Sequence, residues 1–154
     1  MNKIAVFPGS FDPITKGHEN IIFRAIPLFD KIIIAIGENA DKSGYFGIEQ
    51  RISWIKKVFE KYPSISVERY SGLTVDYCAT VDASYILRGL RTAADFEFER
   101  SIGQTNKKLN AEIETVFLLT MPEYTPINSS IVRDVHRHGG NVLDFIPSAI
   151  HSDF

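Results

Sequence analysis

Residues Lys31–Gly37 read KIIIAIG, with five consecutive apolar side chains from Ile32 to Ile36. In an extended strand successive side chains point to opposite faces, so both faces of this segment must be covered. Sheets covered on both faces are typically parallel, with helices packed on either side. The rest of the chain carries the alternation that such a sheet needs. Short apolar runs at 3–7, 66–70, 85–87 and 115–120 predict four more strands. From residue 17 the apolar positions Ile21, Ile22, Ala25, Leu28 and Phe29 recur at helical spacing, with Thr15 as a cap and Pro27 ending or kinking the last turn. Residues 48–62, 75–81, 95–109 and 129–138 predict further helices, the last stopped by Gly139-Gly140.

The expected architecture is α/β: a Rossmann-like, doubly wound, five-stranded parallel sheet in a single domain over residues 1–154. Ligands of such sheets bind beyond the carboxyl ends of the strands, where the strand order reverses, so segments just after strands carry the chemistry. A formal charge of −2 excludes a protein that coats nucleic acid or an anionic membrane through bulk charge. The single cysteine, Cys78, has no partner for an internal disulfide or a thiolate metal site and reads as core. The first twenty residues lack the charged start and apolar stretch of a secretory leader, and the run at 32–36 is far short of the roughly 20 residues that span a bilayer. A cytoplasmic location is the expectation.

After the first strand comes PGSFDPITKGH, residues 8–18, where Gly9 and Gly17 permit close backbone approach and His18 falls at the start of a helix. Exposed N–H groups and the helix dipole make such a terminus a phosphate site; the alternative is a tight loop with a surface histidine. No GxxxxGK[ST] or GxGxxG run occurs, which argues against P-loop hydrolysis and hydride transfer. At the end of the fourth strand Arg88-Gly89-Leu90-Arg91 sets two permanent cations at the crevice, suited to phosphate oxygens or to a solvated basic turn. Lys42 follows the second strand, where it serves as a point charge for phosphate or as a solubilising loop residue. After the fifth strand, residues 124–130 lead into a helix, with Asn128 or Ser129 as its cap. Asp95, Glu97 and Glu99 in the long helix read as favourable dipole partners. His136 and His138, two apart on a helix, point to different faces and are not spaced as a metal pair.

Taken together, Pro8-Gly-Ser-Phe-Asp-Pro-Ile-Thr-x-Gly-His18, Lys42, Arg88-Gly-Leu-Arg91 with Ala94-Asp-Phe-Glu97, and Ile127-Asn-Ser-Ser130 resemble the bacterial phosphopantetheine adenylyltransferases. These belong to a nucleotidyltransferase superfamily that shares its histidine motif with class I aminoacyl-tRNA synthetases. The resemblance runs nearly end to end. It implies transfer of AMP from ATP to 4′-phosphopantetheine, giving dephospho-coenzyme A and pyrophosphate. Ser10, Lys42, Thr74 and Arg88 would contact phosphopantetheine. Ser10, Phe11, His18, Gly89, Leu90, Arg91, Glu99, Tyr124, Thr125, Pro126, Ile127, Asn128, Ser129 and Ser130 would contact ATP. His18, Lys42 and Arg91 would be the catalytic groups. Magnesium, a homohexamer and feedback inhibition by coenzyme A are also implied, with no nucleic-acid or membrane partner. Ser10, Phe98 and Asn128 stand where threonine, tyrosine and serine are common in that family. The first and last keep a polar group, whereas Phe98 removes a phenol. Two other readings keep the crevice: the same fold acting on another small phosphorylated acceptor, or a non-catalytic nucleotide sensor or RNA-binding module. The near-neutral charge and the lack of a basic stripe count against RNA.

Overall fold

The computed structural model describes residues 2–39 and 43–154. Five strands, β1 (Ile4–Gly9), β2 (Lys31–Gly37), β3 (Ile65–Tyr70), β4 (Tyr85–Leu90) and β5 (Glu114–Leu119), form one sheet in the order β3-β2-β1-β4-β5, every pairing parallel. The connections run through α1 (Lys16–Ala25), α2 (Ile48–Val58), α3 (Thr74–Thr80) and α4 (Ala93–Leu109). After β5 come a 3-10 turn at Pro122–Tyr124, α5 (Ser129–Arg137) and two further 3-10 segments, Leu143–Phe145 and Ser148–Asp153. The chain moves outward from β1 to β3, then returns to build β4 and β5 on the other side. The order therefore reverses between β1 and β4.

The isoleucine run behaves as its pattern demands. Ile32, Ile34 and Ile36 enter one core, with Phe7, Ile22, Trp54 and Val132, whereas Ile33 and Ala35 enter the opposite one, with Val6, Val75 and Cys78. Each fully buried isoleucine contributes about 1.5–3 kcal/mol relative to exposure, which makes β2 the best-anchored strand of the sheet. The Cys78 thiol is fully buried, and burial pushes its pKa up to about 11, so it is inert as a nucleophile near neutrality.

Several boundaries differ from the sequence expectation. β1 does not stop at Phe7 but continues through Pro8 and Gly9 along β2. Its pairing with β4, in contrast, ends at Val6 opposite Ile86. The Pro8 carbonyl oxygen accepts from the Arg88 side chain, so the missing N–H of Pro8 falls on the edge turned to β4, where no ladder bond is lost. β4 runs to Leu90, which puts Arg88 and Gly89 inside a strand paired to β5 rather than beyond its end. α1 ends at Ala25 and tightens into a 3-10 turn at Ile26–Leu28, because Pro27 cannot donate to the α ladder. α2 ends at Val58, four residues early, and α4 starts at Ala93, two early, behind the N-cap Thr92. The end of α5 is marked by Gly139 at φ 77°, a left-handed position suited to glycine.

Candidate active site

Because β1 and β4 part after Val6 and Ile86, a crevice opens at their carboxyl ends. It forms a cavity of about 280 Å³, walled by Ser10 and Phe11 after β1, His18 on α1, Arg88 and Gly89 of β4, and Arg91 beyond it. Asp95 and Glu99 of α4, and Tyr124, Ile127, Asn128 and Ser129 before and at the start of α5, complete the ring.

The His18 ring is held by three contacts. Thr15 caps α1 by accepting the His18 N–H at 3.4 Å, and His18 Nδ1 in return accepts the Thr15 N–H at 3.0 Å, a reciprocal capping box. The ring also packs edge-on against Phe11, centroids 5.0 Å apart, and against Phe7 at 6.4 Å. A nitrogen that accepts carries no proton, so the proton sits on Nε2, which has no hydrogen-bond partner among the described residues. Burial, with the charges of Arg88 and Arg91 behind it, lowers the His18 pKa to about 4. At neutral pH His18 is therefore an uncharged donor through Nε2.

Phe11 reaches its place through a left-handed backbone, φ 46°, which costs a non-glycine residue about 1–2 kcal/mol. Its buried ring folds back over Gly9, where a Cβ would stand 3.0 Å from the ring. Gly89 serves the opposite wall, since a Cβ there would press to 3.2 Å on Ile21 of α1. Both glycines mark places where backbone must come close.

The two arginines are aimed by carboxylates one helical turn apart on α4. Arg88 donates Nε and Nη2 to Glu99 at 2.9 and 2.6 Å and Nη1 to the Pro8 carbonyl. Arg91 donates Nε to Asp95 Oδ2 at 3.1 Å and Nη2 to Oδ1 at 3.5 Å, and its backbone N–H also meets Oδ2. A guanidinium has five N–H donors, so each arginine keeps donors for a ligand. Asp95, read from sequence only as a dipole partner, is thus the seat of Arg91, and Glu99 offers both oxygens to Arg88.

At the far wall Asn128 is the cap of α5, its Oδ1 accepting from the Ile131 N–H at 2.9 Å. Ser129 Oγ donates to the Pro13 carbonyl at 2.9 Å, tying α5 to the loop before α1. The first N–H groups of α5 lack helical acceptors and sit at the positive end of its dipole. Leu90 is buried in its strand, and it, Thr125, Pro126 and Ser130 do not wall the cavity. Ser130 Oγ accepts instead from Arg133 at 3.1 Å. Thr74 opens α3 with its hydroxyl 2.8 Å from that of Tyr70, away from this cavity. Lys42 lies outside the described residues.

Sequence reasoning missed Thr15, Ile21, Asp95 and Thr120 as wall residues. Of these, Thr15 carried a local signal in its capping pattern and Asp95 in its four-residue spacing from Arg91. A second, more open cavity of about 1010 Å³ lies beside the first, bounded by Gly37, Ser43, Gly44, Ser71 and Arg137, and Ser10 faces both. His136 stands near its rim with Nδ1 2.8 Å from the Tyr45 hydroxyl, while His138 meets the Asp134 carbonyl. No helix among the described residues is long and apolar enough to cross a membrane.

A sequence model of the cytidylyltransferase-like family matches residues 6–135. Phosphopantetheine adenylyltransferase of Cytophaga hutchinsonii is 50% identical over 150 residues, covering 97% of this chain and 100% of that one. The enzyme of that name from Flavobacterium psychrophilum is 56% identical over 146 residues, covering 95% and 96%. Among solved structures, a bifunctional NMN adenylyltransferase/ADP ribose pyrophosphatase from Francisella tularensis superposes with a TM-score of 0.73 at 18% identity, covering 95% of this chain, which spans 45% of that one. A Vibrio parahaemolyticus chain described as a nicotinate-nucleotide adenylyltransferase gives 0.67 at 15% identity, covering 99% and 97%. At this distance the structures speak for a shared fold, and the near full-length sequence matches go further: the chain belongs to the phosphopantetheine adenylyltransferases of the cytidylyltransferase-like family.

Proposed function

We propose that residues 1–154 form one catalytic domain that transfers AMP from ATP to the phosphate of 4′-phosphopantetheine, releasing pyrophosphate and dephospho-coenzyme A. The observation that carries this reading is the convergence on one cavity of an uncharged Nε2–H donor, two seated arginines and a helix amino end. Such a site suits a polyanion. The acceptor phosphate is already largely a dianion near neutral pH, so attack on the α-phosphorus needs no base to make the nucleophile. Positioning and charge neutralisation suffice.

In this mechanism Arg88 and Lys42 hold the acceptor phosphate in line with the α-phosphorus. His18, through its uncharged Nε2–H, and Lys42 stabilise charge on the α-phosphate. Arg91 and the α5 amino end receive the leaving pyrophosphate. Ser10, between the two cavities, contacts both substrates, and the pantetheine arm leaves over Gly37 toward Ser71 and Thr74. Gly89, Tyr124, Ile127 and Asn128 line the path of the nucleoside, with Leu90, Thr125 and Pro126 supporting them from the adjoining backbone.

Magnesium would neutralise phosphate charge. Such an ion would enter on the nucleotide, keeping several water ligands. Asp95 Oδ1, whose hydrogen bond from Arg91 is as long as 3.5 Å, is the wall carboxylate oxygen that would receive such an ion or its water. A cytoplasmic location, a homohexamer and feedback inhibition by coenzyme A complete the proposal. The exposed apolar side chains Phe98, Ile102 and Leu109 on α4 support self-assembly, which sedimentation would measure. Coenzyme A carries both the adenylate and the pantetheine arm and so should compete with both substrates.

The deciding experiment is incubation with ATP, magnesium and 4′-phosphopantetheine, followed by mass detection of dephospho-coenzyme A. Parallel arms offer CTP as donor and nicotinamide mononucleotide as acceptor. Turnover of either in place of the proposed pair would sink the reading, as would nucleotide binding without turnover.

A further inference from the structure

Asp12 and Arg51 are buried charges to which the mechanism assigns no task, 6% and 7% exposed. Burying an ion pair often gains nothing over an apolar pair of the same size, so its geometry is the place to look for a purpose. Both Asp12 oxygens are occupied by the chain that follows Lys42: Oδ2 accepts from the Tyr45 N–H at 2.7 Å and Oδ1 from the Phe46 N–H at 2.9 Å. Arg51, on α2, donates Nε to the Phe46 carbonyl at 2.9 Å and Nη1 to the Ser10 carbonyl at 2.7 Å, with Asp12 4.0 Å from Nε. Gly44 passes so close that a Cβ would stand 2.8 Å from Arg51 Nη2 and 3.0 Å from Asp12 Oδ2.

Ser10 is the one described residue that faces both cavities. Arg51 therefore grips the backbone of the partition between them, and with the same guanidinium grips the segment after Lys42. We propose that Asp12 and Arg51 are positioning residues that lock Ser10 and residues 43–47 in one register, so that acceptor and ATP meet in line. This rests on the adenylyl-transfer reading above. Both side chains also border the second cavity, and the proposed role of each runs through the backbone it holds.

Arg51→Lys keeps the charge beside Asp12 but loses the planar fork whose Nε and Nη1 meet the Phe46 and Ser10 carbonyls together. Its kcat, with both substrates saturating, should fall about 10- to 100-fold, the scale expected when reacting groups shift by about 1 Å. Affinity for a non-hydrolysable ATP analogue, read by calorimetry, should change less than about threefold. Asp12→Asn should show the same split, and the Tyr45 and Phe46 amides should lose hydrogen-exchange protection. The double variant should be no worse than the worse single one, because both substitutions release one tie. A lowered Tm with unchanged kcat in Arg51→Lys, or losses that multiply in the double variant, would overturn the proposal. Should Arg51→Lys not fold, Gly44→Ala presses on the pair from the loop side, and unchanged kcat there overturns it equally. A wild-type enzyme that makes no dephospho-coenzyme A would instead defeat the underlying functional reading.

Discussion

Replacing His18 by glutamine and by asparagine separates the work of its two ring nitrogens. A glutamine amide nitrogen reaches about as far as Nε2, the donor, whereas an asparagine carbonyl lies near Nδ1, which accepts the Thr15 N–H at 3.0 Å. A preorganised donor to developing charge is worth about 3–4 kcal/mol, or roughly 10²- to 10³-fold in kcat. Loss of the side-chain acceptor in a cap costs about 1 kcal/mol. His18→Asn should therefore stay near wild-type stability while kcat falls roughly 10²- to 10³-fold. His18→Gln should lose about 1 kcal/mol of stability yet keep more of the rate. Pyrophosphate release at saturating ATP, magnesium and 4′-phosphopantetheine reads kcat, calorimetry reads ATP-analogue affinity, and urea unfolding reads stability. An asparagine variant faster than the glutamine variant would refute the assignment of donor and acceptor nitrogens. Losses confined to ATP affinity, with kcat intact, would refute the catalytic role itself.

Stability should also carry the signature of the lowered His18 pKa. Between about 4 in the fold and about 6.5 in the unfolded chain, the unfolded state binds the extra proton, so stability rises with pH across that window. Wild type should lose on the order of 2–3 kcal/mol more than His18→Gln between pH 7 and pH 4 in urea titrations; equal losses would contradict the burial argument. Arg88→Ala should chiefly raise KM for the acceptor, and an effect on ATP alone in steady-state kinetics would mean the two subsites are exchanged. Glu99→Gln removes the charge opposite Arg88 and should cost about 2–3 kcal/mol by denaturant midpoint. Ile34→Ala, at a fully buried position, should cost about 2–5 kcal/mol in the same assay and leave KM for both substrates unchanged.

The sheet was legible in the sequence because its signal is local: KIIIAIG can be covered only by two layers, and strands alternate with helices of the right period. Strand ends were less so. Pro8-Gly9 looks like a stop, yet the sheet itself splits beside it, so a residue without an N–H extends β1 at no cost in ladder bonds. Similarly, Arg88 reads as a residue past a strand, but its Cα pairs with Phe117 of β5. His18 and the helix start at Ser129 carry local capping patterns and were readable. The seating of Arg91 on Asp95 was within reach too, being four residues apart. Long-range partners were not. Nothing near Asp12 announces Arg51, and nothing near Trp54 announces that its Nε1 donates to Asp153, next to a terminal Phe154 ring packed 4.8 Å away. Such contacts are set by how the layers dock, which a local pattern does not encode.

The split between β1 and β4 has a consequence for how this enzyme tolerates change. From Phe7 to Gly9 the margin of β1 turned toward β4 has no strand beside it, so part of the ligand-facing wall is peptide rather than side chain. Backbone carbonyls are common to every amino acid, so substitutions along this rim reshape the surface without removing them. Resistance to a compound that reads this margin would have to come from moving the strand, and β2 is the most firmly anchored neighbour it has.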